Sequence, residues 1–120
     1  MTPPRAAEVR WETVCRHDRL VPERGVAALL RSQGEVVQVA LFPIHDGTVR
    51  AIGNVDPFTG AAVLSRGIVG DRGGVPTVAS PIHKQVFSLL DGRCLDDADV
   101  VVPSFPVRVA EGLLQVGLPW

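Results

Sequence analysis

Cysteine is scarce in this sequence. Its only two, Cys15 and Cys94, sit far apart in a 120-residue chain that opens "MTPPRAAEVRWE", with no apolar segment of the kind that marks a secretory signal. Reduced thiols are therefore expected, and a disulfide is not. Cationic excess is missing too: 12 Lys and Arg stand against 13 Asp and Glu, a net charge of −1. Binding nucleic acid or a phosphate-rich membrane surface needs clustered positive charge, so neither partner is expected. No apolar run approaches the roughly 20 residues of a membrane-spanning helix. Together these absences point to a cytoplasmic protein.

What is present suits one compact domain. Hydrophobic residues make up 46% of the sequence and charged residues 21%, enough to bury a core without covalent staples. Twelve Gly and ten Pro divide the chain into short, Val-rich stretches, which argues for strands over long helices. Strands are predicted at 9–17, 34–42, 48–54, 75–80 and 85–89, with a closing hairpin over 105–118 and "EG" at its tip. "HDG" at 45–47 signals a hairpin turn. The segment 21–30 is expected to hold a Pro turn and one helical turn before a strand. The five-glycine stretch 56–74 reads as a long loop with a helical piece near Ala61–Leu64, and such loops tend to serve function. The expected fold is all-β, two packed antiparallel sheets or a partly closed barrel, as a single domain over 8–120 with residues 1–7 flexible.

Catalytic constellations are hard to find. Cys15-x-His17 could chelate if both lie on one strand face, but a metal site needs further ligands. His45 beside Asp46 is most simply a solvated turn residue, and Cys15 a small core residue. Ser80 or Cys94 with His83 lacks the strained elbow and orienting acid of a hydrolase. "GIVGDRGG" (67–74) is not a phosphate loop. "DDAD" (96–99) lacks Ca²⁺-loop spacing and reads as a solvated acidic turn.

One pattern organises these residues. "SPIH" (80–83), Phe87, "DGRCL" (91–95) and "FPVRVAEGLLQV" (105–116), preceded by "NVDPFTGAAVLSRG" (54–67), resemble the Rieske-type iron–sulfur domain. That family places C-x-H in one loop and C-P-x-H in a second, and uses two thiolates on one iron and two imidazoles on the other. Mapped residue by residue, the first Cys falls on Asp56 and the first His on Phe58. The second Cys falls on Ser80, and His83 alone survives. "SRGIVGD", "SP-x-x-K-Q-x-F" and the opening "C-x-x-x-x-L-V-P-x-x-G-V-A-A-L" of 15–29 are similar to one branch in particular, the small subunits of assimilatory NAD(P)H-dependent nitrite reductases.

This resemblance implies a Rieske-like fold with a ligand-loop region at about 54–95 and no cluster of its own, because Phe58 cannot ligate iron and Ser80 is a poor soft-metal ligand. It implies an accessory chain that docks on a large catalytic subunit carrying FAD, a [4Fe–4S] centre and sirohaem. Candidate docking residues are Pro57, Phe58, Arg66, His83, Lys84 and Gln85. Phe58 either anchors that interface or plugs the vacant cluster cavity. His83 either bonds across to Asp56 or a backbone carbonyl, or stands half-exposed without a partner. Two alternatives stay open: an electron carrier with an unusual cluster on Asp56, His83 and a Cys, and a Rieske-like interaction module of another oxidoreductase.

Overall fold

The computed structural model describes residues 9–119. The stretch expected to be flexible, 1–7, and the expected start of the domain at residue 8 lie outside the described residues. Among the described residues, ten strands form three antiparallel sheets: β1 (Val9–Arg16), β2 (Val26–Ser32), β3 (Glu35–Pro43), β4 (Val49–Gly53), β5 (Ile68–Arg72), β6 (Val75–Ala79), β7 (Val86–Ser88), β8 (Ser104–Phe105), β9 (Val107–Ala110) and β10 (Leu113–Pro119). The sheet orders are β1-β10-β9, β2-β3-β4-β8 and β5-β6-β7.

The four-stranded sheet is the middle layer, and β3 explains why. Its run "VALF" (39–42) is buried on both faces, so it reads as unbroken hydrophobicity instead of alternation. Ala40 and Phe42 face a core shared with Leu64, Val78, Phe87 and Leu89. Val39 and Leu41 face the opposite core, with Leu114, Val116 and Leu118. The β5–β7 sheet thus packs on one side of the middle sheet and the terminal sheet on the other.

Three local expectations need correction. Residues 21–30 hold no helical turn. After a turn through Glu23, β2 alternates Val26, Ala28 and Leu30 partly buried with Ala27, Leu29 and Arg31 exposed, a period of two. The nearby helical turn is a 3-10 turn at His17–Arg19, so His17 lies past the strand it was expected to occupy. Within 56–74 the helical turn falls at Leu64–Arg66, and the chain then enters strand β5, paired with β6 from Ile68↔Ala79 to Arg72↔Val75. Gly73 and Gly74, at φ 61° and 89°, form its two-residue hairpin loop, a turn that needs positive φ at both positions. The "HDG" and "EG" hairpins form as expected.

Candidate functional site

Asp56, Phe58, Ser80 and His83, the residues expected from the sequence to stand at degenerate ligand positions, lie on two loops brought together beside β6. The first loop leaves β4 at Asn54, whose side-chain oxygen accepts from Ser65 N–H at 2.7 Å and whose carbonyl accepts from Leu64 N–H at 3.0 Å. Asn54 therefore holds the return limb of the loop. Gly67 then lets this limb pass close to β6: a Cβ there would sit 2.3 Å from the Ala79 carbonyl oxygen. The second loop is closed by Ser80 N–H to the Gln85 carbonyl and Lys84 N–H to the Ser80 carbonyl. Closing it puts Lys84 at φ 62°, a left-handed conformation that costs a residue with a Cβ about 1 kcal/mol.

Asp56 and Ser80, the two residues that the sequence reading mapped onto the thiolate positions, are bonded directly to each other. The Ser80 hydroxyl donates to Asp56 Oδ2 at 2.5 Å, and both residues are buried. Asp56 Oδ1 accepts from Phe58 N–H at 2.8 Å, so the carboxylate is engaged through both oxygens. A buried carboxylate without donors would be severely destabilising; here each loop supplies one. The bond joins the loops where shared coordination of one iron would join them.

The two imidazole positions behave differently. Phe58 is 37% exposed, with its ring 6.3 Å from the ring of buried Phe87 at a tilt of 54°. It covers the Phe87 side of the loops in part and stays open to solvent in part, so it is both lid and exposed surface. His83 is exposed whereas Asp56 is fully buried, so of the two readings offered for it the one without a partner describes this side chain, and no bond from His83 to Asp56 is made. Pro57, Arg66 and Lys84 are also exposed, whereas Gln85 is half-buried and its Oε1 is buried with no hydrogen-bond partner. Ile68 and Ile82, exposed by 78% and 46%, border the same loops and were missed by sequence reasoning. Their apolar character in segments that carry the motif was the available signal.

This donor set does not fit a [2Fe–2S] cluster. The thiolate positions hold a carboxylate and a hydroxyl committed to each other, and one imidazole position holds a phenyl ring. Among the described residues, no group of three His, Cys, Asp or Glu is placed to hold a metal ion. Cys94 is buried in the core that Phe87 shares, and Cys15, whose thiol burial pushes its pKa up, lies in β1. Neither supplies the sulfur that an unusual cluster with Asp56 and His83 would need. His45 and Asp46 stay in their turn, where the Thr48 hydroxyl and then its N–H hold the Asp46 carboxyl below the usual carboxylate range.

Residues 10–117 match the family model of the Rieske-like [2Fe-2S] domain. The chain is 43% identical over 108 residues to the nitrite reductase (NADH) small subunit of Escherichia coli K12, covering 89% of this chain and 96% of that one. The chain belongs to the nitrite reductase small-subunit branch of the Rieske-like family. A crystal structure described as a putative NADH-dependent nitrite reductase small subunit from Mycobacterium tuberculosis superposes with a TM-score of 0.86 at 58% identity, covering 91% of this chain and 95% of that one. A nitrite reductase [NAD(P)H] large subunit of Klebsiella oxytoca also matches, 40% identical over 107 residues, or 89% of this chain but 11% of that protein. In that relative, a module of this family is part of the large-subunit polypeptide.

Proposed function

We propose that this chain is the small subunit of an NAD(P)H-dependent nitrite reductase and acts by docking on the large catalytic subunit. The reduction of nitrite to ammonium, and the FAD, [4Fe–4S] centre and sirohaem that serve it, belong to the large subunit. The observation that carries this reading is the Asp56–Ser80 bond: the positions that would bind iron are occupied by a bond between two side chains. An electron-carrying role for this chain would need ligands that it does not bring together. The large-subunit relative with a built-in module of this family supports a partnership in which the two function side by side.

The docking face is the loop end. Phe58, Ile68 and Ile82 offer exposed apolar surface, and Arg66 and Lys84 stand beside it with no ion pair among the described residues. An aromatic anchor with a charged rim is the composition of an interface hot spot. The unpaired cations call for an acidic rim on the large subunit. Binding of the purified chain to its large subunit, measured at low and high salt, tests this. Affinity is expected to fall with salt, and Phe58→Ala to weaken it roughly tenfold. Unchanged affinity for both Phe58→Ala and Lys84→Glu would place the interface elsewhere.

A further inference from the structure

Away from the loops, one guanidinium is partly sealed from solvent without a partner. Arg50 lies near the start of β4, at the end opposite the Asn54 loop, and it is flanked by two clefts of about 380 and 310 Å³. Its Nε is buried and has no hydrogen-bond partner, and no carboxylate among the described residues lies in ion-pair range. Asp46 feels its charge only weakly, as the last of several influences. An arginine whose stem covers apolar surface ordinarily keeps its head in water. Here the inner donor is sealed, and a buried unsatisfied donor in a native fold asks for an explanation.

The larger cleft has a clear origin. Strand β8 pairs with β4 only at Ala51↔Phe105 and Ile52↔Ser104. At Pro106 the chain then leaves the middle sheet to start β9 in the terminal sheet. Val49 and Arg50 thus lose their neighbour on that side. The gap is walled by Val49, Leu89, Phe105 and Val107, with Arg50 and Ser104 as its side-chain polar groups. The Ser104 hydroxyl has no hydrogen-bond partner among the described residues. Arg108, which borders the smaller cleft, is already engaged by Gln115 and stacks 4.3 Å over Trp11.

We infer that the larger cleft is a binding site for a carboxylate carried on an apolar body, with Arg50 as its anion-recognising residue. A guanidinium fork matches the two oxygens of a carboxylate, and the Ser104 hydroxyl adds a donor. The Val, Leu and Phe walls take the apolar remainder, in a volume typical of small-ligand sites. This site is independent of the docking face and goes beyond the function proposed above. The carboxylate comes either from a free small molecule or from an acidic side chain of the large subunit.

The test is a titration of the ¹⁵N-labelled full chain with sodium benzoate at constant ionic strength, followed by NMR of backbone amides and the Arg50 Nε–H. Saturating shifts confined to 49–51 and 104–107, with a moved Arg50 Nε–H signal, are expected. Arg50→Lys keeps the charge but loses the fork, and should weaken benzoate about tenfold or more while leaving the rest of the spectrum in place. Formate and nitrite, which have the two oxygens without the apolar body, should bind more weakly. Adding the large subunit separates the sources: displaced benzoate means a carboxylate from the partner, and retained benzoate a free ligand. A linear drift no larger than that from sodium chloride would overturn the inference. So would wild-type affinity in Arg50→Lys, or formate binding as tightly as benzoate.

Discussion

Asp56 and Ser80 lie sealed beneath the two loops, while Phe58 and His83, two and three residues further along, stand at the surface. All four are the positions at which the sequence reading placed the ligands of a Rieske centre, yet the inner pair and the outer pair differ. The inner pair is buried and bonded to itself at 2.5 Å, so losing Ser80 leaves Asp56 Oδ2 without its donor and losing Asp56 leaves the Ser80 hydroxyl without its acceptor. The outer pair makes one partial ring contact between Phe58 and Phe87 and otherwise faces solvent. A buried polar pair has to satisfy itself, because unpaired buried polar groups cost stability. Exposed side chains carry no such requirement and stay available for contact.

That contrast can be broken by substitution. The largest effect is expected from Asp56→Ala, which strands the Ser80 hydroxyl and the Phe58 N–H together. A loss of about 3 kcal/mol in urea unfolding is expected. Asp56→Asn, which can keep a bond to each partner, should cost clearly less. Ser80→Ala leaves Asp56 Oδ2 without its donor and should cost about 2 kcal/mol. The Asp56→Ala, Ser80→Ala double mutant should fall short of the sum, because the two share one bond. Additive losses would mean that each residue contributes separately and the inner pair is no joint. At the outer positions, Phe58→Ala should cost no more than about 1 kcal/mol of stability while weakening large-subunit binding. His83→Ala, the smallest change, should leave stability within about 0.5 kcal/mol. A large stability loss from either would erase the distinction between the pairs.

Much of this was legible in the sequence, for identifiable reasons. The "SPIH" and "DPF" segments marked the two loops, and the "HDG" and "EG" turns marked their hairpins. Strand β5 was missed because "SRGIVGDRGG" lacks two-residue alternation. It is an exposed edge strand, so burial imposes no pattern on it, and the Gly73-Gly74 turn was the only usable signal. The helical turn expected in 21–30 arose from giving the Pro turn more weight than the alternation after it. The partner of Asp56 could not be chosen from sequence, since Ser80 and His83 lie on the same short loop. Only the fold shows that position 80 points inward and position 83 outward. Arg50 left no trace, because its cleft depends on β8 ending at Phe105 and the chain leaving the sheet at Pro106.

The most direct test of the central claim is an assay of iron and acid-labile sulfide, with a visible spectrum, on chain produced and purified without oxygen. The expected result is a folded, colourless protein without stoichiometric iron or sulfide, its inner positions held by the Asp56–Ser80 bond. Stoichiometric iron and sulfide with Rieske-like absorption would contradict it. That bond would then have to open for a cluster, and the chain would carry electrons itself.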